Sequence, residues 1–347
     1  MRFYIVMFLL FSTVASGASG QTSISPSCTR QSAPTGLGTS APAGQIHVEG
    51  DHKAPAAREA LKLVFAIENG VSNPYTGVSG NFDGQGLSLG LIQFNLGGSA
   101  QRVFGGIPDS VFSSAMPKWG HVFRAAVRTP TPSSSIDQVT AMQDYVGKRW
   151  ILKPDALAEL KTFLDTPDSR AAQDQAVAVE YKSAYRRAAQ WAQKRGATKP
   201  TPREIATFLD NQVFSGGFLG NMWFEQAKKF RDSFKGDDGA MIAFVGNWLK
   251  TCPASGPGFL YGANEGKANA EIWTIQYPKG THLSDERALL FSFGFVRALT
   301  ANGPPRVKGQ PDQSGIFKSQ VVQRRGLISL AAGTANGIHW PGGALDD

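Results

Sequence analysis

From about His52 onward, apolar residues recur at steps of three and four over most of the chain, the period of one helix face. The longest such run opens at Thr166-Pro167-Asp168, which supplies an N-cap, a first-turn proline and an early acid, and it stops at Arg195-Gly196. Its stripe includes Val177, Tyr181, Ala184, Tyr185, Ala188, Trp191 and Ala192. Thr201-Pro202-Arg203-Glu204 spells a capping box, with Ile205, Phe208 and Leu209 following as its buried face. Ser284 is placed to cap a helix that runs through Leu289, Leu290, Phe293 and Val296 towards Asn302-Gly303. Its nearly all-apolar stretch, Ala288 to Val296, is bounded by Arg287 and Arg297; it is too short to span a bilayer and reads as a core helix. Period-two alternation is scarce. Leu87, Leu89 and Leu91 around Ser88 and Gly90 give one strand signal, and Ile272 to Tyr277 gives a second. The pattern predicts a mostly α (α+β) domain with one small antiparallel sheet near its front.

The N-terminus departs from this pattern. Arg2, an apolar run from Phe3 to Phe11 and the small residues from Ser12 to Gly20 have the layout of a secretory signal peptide. A secreted or periplasmic protein is expected, with no stable membrane insertion after cleavage. Of the 24 residues from 21 to 44, 18 are Ser, Thr, Pro, Gly or Ala, so a linker is expected over 21–50. With no internal repeat and no comparable second linker, residues 51–347 read as one domain. Cys28 and Cys252 are the two cysteines. In an oxidising compartment they either form one disulfide tying the tail to the domain or remain two thiols.

The chain has 347 residues, 39 of them glycine, a formal charge of +8, 41% hydrophobic residues and 18% charged residues. This composition supports a substantial core and excludes a disordered polyelectrolyte or a disulfide-dense scaffold. A basic chain of dilute charge suits an acidic partner. The basic residues are scattered apart from short groups such as Lys228-Lys229-Arg231 and Arg324-Arg325, so nucleic acid is not the expected partner. His47, His52, His121, His282 and His339 show no ligand spacing; no metal and no cofactor is expected. There is no Gly-x-Ser-x-Gly element of a serine hydrolase.

Two carboxylates change the picture. A first helix is expected from about Pro55 to Glu68, ended by Asn69-Gly70. Leu61, Val64, Phe65 and Glu68 are spaced so that Glu68 falls about 20° from Leu61 around the helix, on the apolar face. Burial and the helix C-terminus both raise a carboxyl pKa there, as a general acid near neutral pH requires. The same position also suits an edge-of-stripe Glu paired with a Lys or Arg. Asp83 stands between Phe82 and Gly84 in the glycine-punctuated segment NFDGQGLSLGLIQFN, Asn81 to Asn95. A turn there holds its carboxylate out in solvent, although Asp-Gly is also an ordinary turn pair. One buried Glu and one solvated Asp are the pair that glycoside hydrolysis uses.

FAIENG followed by FDGQGLSLGLIQFN resembles the catalytic core of the lysozyme-like superfamily. In that superfamily a helix-terminal Glu precedes a small sheet beside the active-site cleft, and a Gly-Leu-x-Gln element, here Gly90 to Gln93, opens the next helix. FLDNQVFSGG, Phe208 to Gly217, is similar to the Asp-containing helix end of chitosanases of glycoside hydrolase family 46. VVQRRGLISLAAG, Val321 to Gly333, resembles the arginine-bearing C-terminal helix of chitosanase-like bacterial proteins. Val111 to Lys153 lies outside the resemblance. What the resemblance implies is a lysozyme-like helical domain with Glu68 as proton donor and Asp83 as second carboxylate. Gln93 and Asn95 would touch substrate, and Asp210 with Arg324 or Arg325 would form a charge network behind Glu68. The implied activity is cleavage of β-1,4 bonds in an amino-sugar polymer by a monomeric glycosidase. Chitosan is a polycation whereas peptidoglycan carries carboxylates, so the charge, about +7 without Arg2, ranks peptidoglycan (a muramidase) ahead of chitosan (a chitosanase). A third reading is a non-catalytic wall-glycan-binding protein, with Trp119, Trp223, Trp248, Trp273 and Trp340 as candidate stacking residues.

Overall fold

A computed structural model describes residues 55–69, 73–80, 86–146, 149–215, 222–251, 260–301, 314–335 and 338–341. The expected signal peptide and linker, Cys28, Asp83, Cys252 and the expected helix end at Asn302-Gly303 lie outside the described residues.

Helix α1 (Pro55–Asn69) leads through a 3₁₀ turn (Pro74–Thr76) into strands β1 (Val78–Ser79), β2 (Ser88–Leu89) and β3 (Phe94–Asn95). These form an antiparallel sheet in the order β1-β2-β3, with Leu89 opposite Val78 on one side and Phe94 on the other. Helices α2 (Ala100–Phe104), α3 (Asp109–Ala115), α4 (Gly120–Arg128) and α5 (Pro132–Gln138) follow. A hairpin of β4 (Gln143–Val146) and β5 (Arg149–Leu152) then precedes α6 (Pro154–Leu164) and the long α7 (Pro167–Lys194). The chain continues with α8 (Pro202–Ser215), α9 (Met222–Asp232), α10 (Asp238–Thr251), α11 (Leu260–Gln276), α12 (Asp285–Thr300) and α13 (Ser314–Leu330). A second hairpin, β6 (Ala332–Ala335) and β7 (Ile338–Pro341), completes the described residues. The fold is mostly helical with small antiparallel sheets.

Several helix starts follow from local chemistry. The Thr166 hydroxyl accepts from the Ser169 N–H at 3.3 Å, and Ser284 accepts from Arg287 at 3.4 Å. At α8 the capping box is reciprocal: Glu204 N–H donates to Thr201 Oγ1 at 3.1 Å, and Thr201 N–H donates to Glu204 Oε2 at 2.9 Å. Two apolar clusters form the core, one around α1, the first sheet, α2–α8 and the start of α9, the other around the end of α9 and α10–α13. Helix α12 serves both, giving Leu290 and Phe293 to the first and Phe291 and Phe295 to the second. A helix with cores on two sides must be apolar all round, which accounts for the run from Ala288 to Val296.

The structure corrects four expectations. Ile272 to Tyr277 is not a strand: Ile272 to Gln276 close α11, where Asn269, Ala270 and Trp273 are buried at helical spacing. Packing against α13 and β6 overrides the β-branched composition. The single expected sheet is joined by two hairpins. Neither was legible, because β4 turns three of four residues to solvent and β6 is built from Ala, Gly and Thr. Gly90 to Gln93 does not open a helix; it is the turn joining β2 to β3, closed by Gln93 N–H donating to Gly90 O at 3.2 Å. Finally, Trp119, Trp223, Trp248 and Trp273 are all core residues, at most 9% exposed, so none of these four offers a free face to a sugar. Trp340 as a stacking residue lies outside the described side chains.

Candidate functional site

Glu68 occupies the last turn of α1, and its side chain is 8% exposed. Its neighbours are Asp210, in the middle of α8 and fully buried, and Arg324, on α13. The Arg324 guanidinium joins the two acids. Its Nε donates to Asp210 Oδ1 at 2.7 Å, its Nη2 lies 2.6 Å from the same oxygen, and Nη2 also donates to Glu68 Oε1. Arg325, one residue on and therefore about 100° around α13, brings Nε to 3.4 Å from Asp210 Oδ2. Two carboxyl groups and two guanidiniums, drawn from three helices, thus form one buried group.

Apolar contacts hold this group in place. Arg324 lies over the Phe214 ring at 4.3 Å, and Phe214 stacks on Phe317 at 4.9 Å. Gly294 lets α12 and α13 approach, since a Cβ at that position would sit 2.8 Å from Arg325 Cβ.

The electrostatics separate the members of the group. Burial raises the Glu68 pKa above the ordinary glutamate value; Arg324 opposes the rise, and the Asp210 charge adds to it. Arg324 is shared, so its charge is not spent on Glu68 alone. Burial works against the charge of Arg324 too, but the Asp210 and Glu68 carboxylates outweigh it and hold its pKa above the usual guanidinium value. Burial pushes Arg325 down to about 9 against the pull of Asp210, which leaves it charged at neutral pH.

Gln93 ends the turn before β3, and Asn95 lies in β3. Gln93 has φ +54°, and its Oε1 accepts from the Ser79 hydroxyl at 2.7 Å. Asn95 Oδ1 is buried with no hydrogen-bond partner among the described residues. The structure therefore brings Glu68, Asp210, Arg324 and Arg325 together, places Gln93 in the β2–β3 turn and Asn95 in β3, and leaves Asp83 in an undescribed stretch between β1 and β2. Set against protein-family models, curated proteins and solved structures, the chain gives no match.

One organising residue escaped the sequence reading. Gln173 on α7 is fully buried; its Oε1 accepts from Leu91 N–H at 3.0 Å and its Nε2 donates to Leu164 O at 3.2 Å. It fixes the turn that carries Gln93, and Gly90, at φ +72°, leaves room for its amide. A glutamine within a helical stripe gives no sequence signal of this role. The segment entering β1 is tied down in a similar way. Asn73 donates to Asp165 at 2.8 Å and Tyr75 to Asp174 at 2.7 Å, while burial and that aspartate push the Tyr75 hydroxyl up to about 12.

Proposed function

We propose that the protein is a secreted glycoside hydrolase that cleaves β-1,4 bonds of an amino-sugar polymer, with peptidoglycan as its substrate. The observation that carries this reading is Glu68: a carboxyl buried at a helix end, its pKa raised, and oriented by an arginine shared with a second buried carboxylate. A raised pKa favours the protonated form that a general acid needs, and the shared arginine gives the carboxyl a fixed direction in which to deliver its proton. Glu68 protonates the glycosidic oxygen as the bond breaks, and positive charge builds on the sugar ring. Asp83 is the second carboxylate, activating water or stabilising the sugar according to its separation from Glu68. Asp210, Arg324 and Arg325 act through Glu68 as positioning residues, and Gln93 and Asn95 supply polar contacts to the sugar.

The net charge of +8 favours a polymer bearing carboxylates over cationic chitosan. A side-by-side digest of purified sacculi and chitosan by the wild type and Glu68→Gln tests the reading. New reducing ends from sacculi, lost in Glu68→Gln, are expected. Release from chitosan alone makes the protein a chitosanase. Binding to either polymer without cleavage by the wild type makes it a glycan-binding protein and refutes Glu68 as an acid.

A further inference from the structure

The positive charge is not spread evenly along the chain. Residues 181–203 hold seven Lys and Arg and no Asp or Glu, so this stretch alone carries +7 against +8 for the whole sequence. It is the second half of α7 with the turn into α8. Two of the seven turn inward: Arg195 donates to Glu204 at 2.9 Å, and Arg203 donates to Ile328 O at 3.3 Å and lies 3.7 Å from Glu286. Lys182, Arg186, Lys194 and Lys199 are exposed, and Arg187 is partly buried. None of Lys182, Arg186, Arg187 and Lys199 has an ion pair among the described residues. At 100° per residue, Lys182, Arg186, Arg187 and Lys194 fall within about 140° of arc and about 18 Å of helix. They form one basic face. Within it, Arg187 Nη1 is buried with no hydrogen-bond partner. Burial and the neighbouring Arg186 charge hold the Arg187 pKa below the usual guanidinium value. Glu180, whose charge opposes that shift, is engaged elsewhere: Arg102 Nη2 lies 3.5 Å from one oxygen, and Gln212 donates to the other at 3.0 Å. An anionic oxygen brought to Arg186 and Arg187 satisfies the orphaned N–H and offsets both charges.

We infer that this face of α7 docks the carboxylate-bearing strands of peptidoglycan and holds them outside the reacting group. The choice of occupant rests on the glycosidase reading; the basic face does not. Glu68, Asp210 and Arg324 come from α1, α8 and α13, so the charge suited to an anionic polymer acts beside the site and not within it. The outer arc of α7 from Val179 to Lys194 carries no aromatic ring, since Tyr185 turns onto Tyr181 and the core. Its one exposed large apolar side chain is Val179, at 62%. Such a face neither stacks on a base or sugar ring nor dips into a bilayer; it reads charge and hydrogen-bond acceptors. Carboxylates carried on peptide stems project from their sugar strand and reach a convex helix of this kind.

Co-sedimentation of the full chain with purified sacculi tests it, in a Glu68→Gln parent that lacks the proposed acid. Lys182→Gln/Arg186→Gln/Arg187→Gln is compared with a control of equal charge loss, Lys161→Gln/Lys229→Gln/Lys250→Gln. The control lysines are exposed on α6, α9 and α10, with no ion pair among the described residues. Binding at least about fivefold weaker than the parent, with a shallower salt dependence, is expected of the α7 variant, and a change under about twofold of the control. Because Arg187 is partly buried, Lys182→Gln/Arg186→Gln serves as a second variant that keeps the fold, and the same direction is expected of it. Equal binding by parent and both α7 variants overturns the inference. So does an equal loss in the control, which makes net charge and not this face the determinant. Weaker binding of the α7 variants to duplex DNA or to phosphatidylglycerol vesicles, with sacculus binding unchanged, gives the face to another polyanion and also overturns it. A wild type that cuts neither sacculi nor chitosan, with sacculus binding still lost in the α7 variants, refutes the glycosidase reading and upholds the docking face.

Discussion

Asp210→Ala removes the carboxylate about which two guanidiniums are arranged. Asp210 is fully buried and faces Arg324 at 2.6–2.7 Å and Arg325 at 3.4 Å. Breaking a buried ion pair from one side costs roughly 3–5 kcal/mol, because the remaining charge stays desolvated. At about 2 °C per kcal/mol for a large domain, the melting temperature falls by roughly 6–10 °C. Urea is the denaturant of choice, since guanidinium chloride would screen the interaction under test. Adding Arg325→Met removes one of the stranded charges, so the double variant is expected to be more stable than the sum of the single effects by about 0.5–3 kcal/mol. The same substitution hands Arg324 wholly to Glu68 and removes a negative charge that raises its pKa. With Glu68 as the proposed acid, the alkaline limb of the pH–activity profile is therefore expected to move to lower pH, a shift that a merely structural role for Asp210 would not produce. A cost below about 1 kcal/mol with additive single effects would refute the reasoning.

Three further outcomes follow from the same geometry. Because burial raises the Glu68 pKa, its contribution to stability is complete below the unfolded value near 4.5 and is lost as pH rises through the higher folded value. The melting temperature of Glu68→Gln, which stays neutral, is therefore expected to gain on the wild type between pH 4 and pH 8; a gap that narrows over that range contradicts the sign. Gly294→Ala puts a methyl group 2.8 Å from Arg325 Cβ, so an overpacking cost of about 1–3 kcal/mol is expected in urea unfolding, and a neutral result would show that α12 and α13 are free to separate. Gln173→Leu leaves Leu91 N–H without its acceptor and costs about 1–3 kcal/mol; hydrogen exchange at Leu91 should speed up, and unchanged protection there would place the turn's support elsewhere.

The long helices were legible because their starts are chemically explicit. Thr166, Thr201 and Ser284 each cap as their hydroxyls and following residues indicate. Glu68 was legible as a carboxyl on an apolar face, and the structure answers the open question of its partner with Arg324. The contact between residues 68 and 324 was visible only through resemblance, since nothing local to either residue encodes the other. Gln173 was illegible for the same reason: the Leu91 N–H that its Oε1 accepts from lies 82 residues away in sequence. Hairpins escaped where composition ran against type. The Ala-Gly-Thr strand β6 is held by Asn269, whose Oδ1 accepts from Thr334 N–H at 2.6 Å and whose Nδ2 donates to Thr334 O at 2.9 Å. Its pairing comes from tertiary contacts and not from strand propensity.

The acid and its arginine stand 256 residues apart in the chain, and this spacing times the appearance of the site. During synthesis Glu68 leaves the ribosome 256 residues before its guanidinium partner. Closing so long a loop also places the contact among the slower steps of folding. A chain stalled or cut before residue 324 carries Glu68 without the guanidinium that it pairs with, and its remaining helices can bury apolar surface without completing the group. The buried carboxyl of α1 in this way waits for α13, made 256 residues later, to supply the charge it packs against.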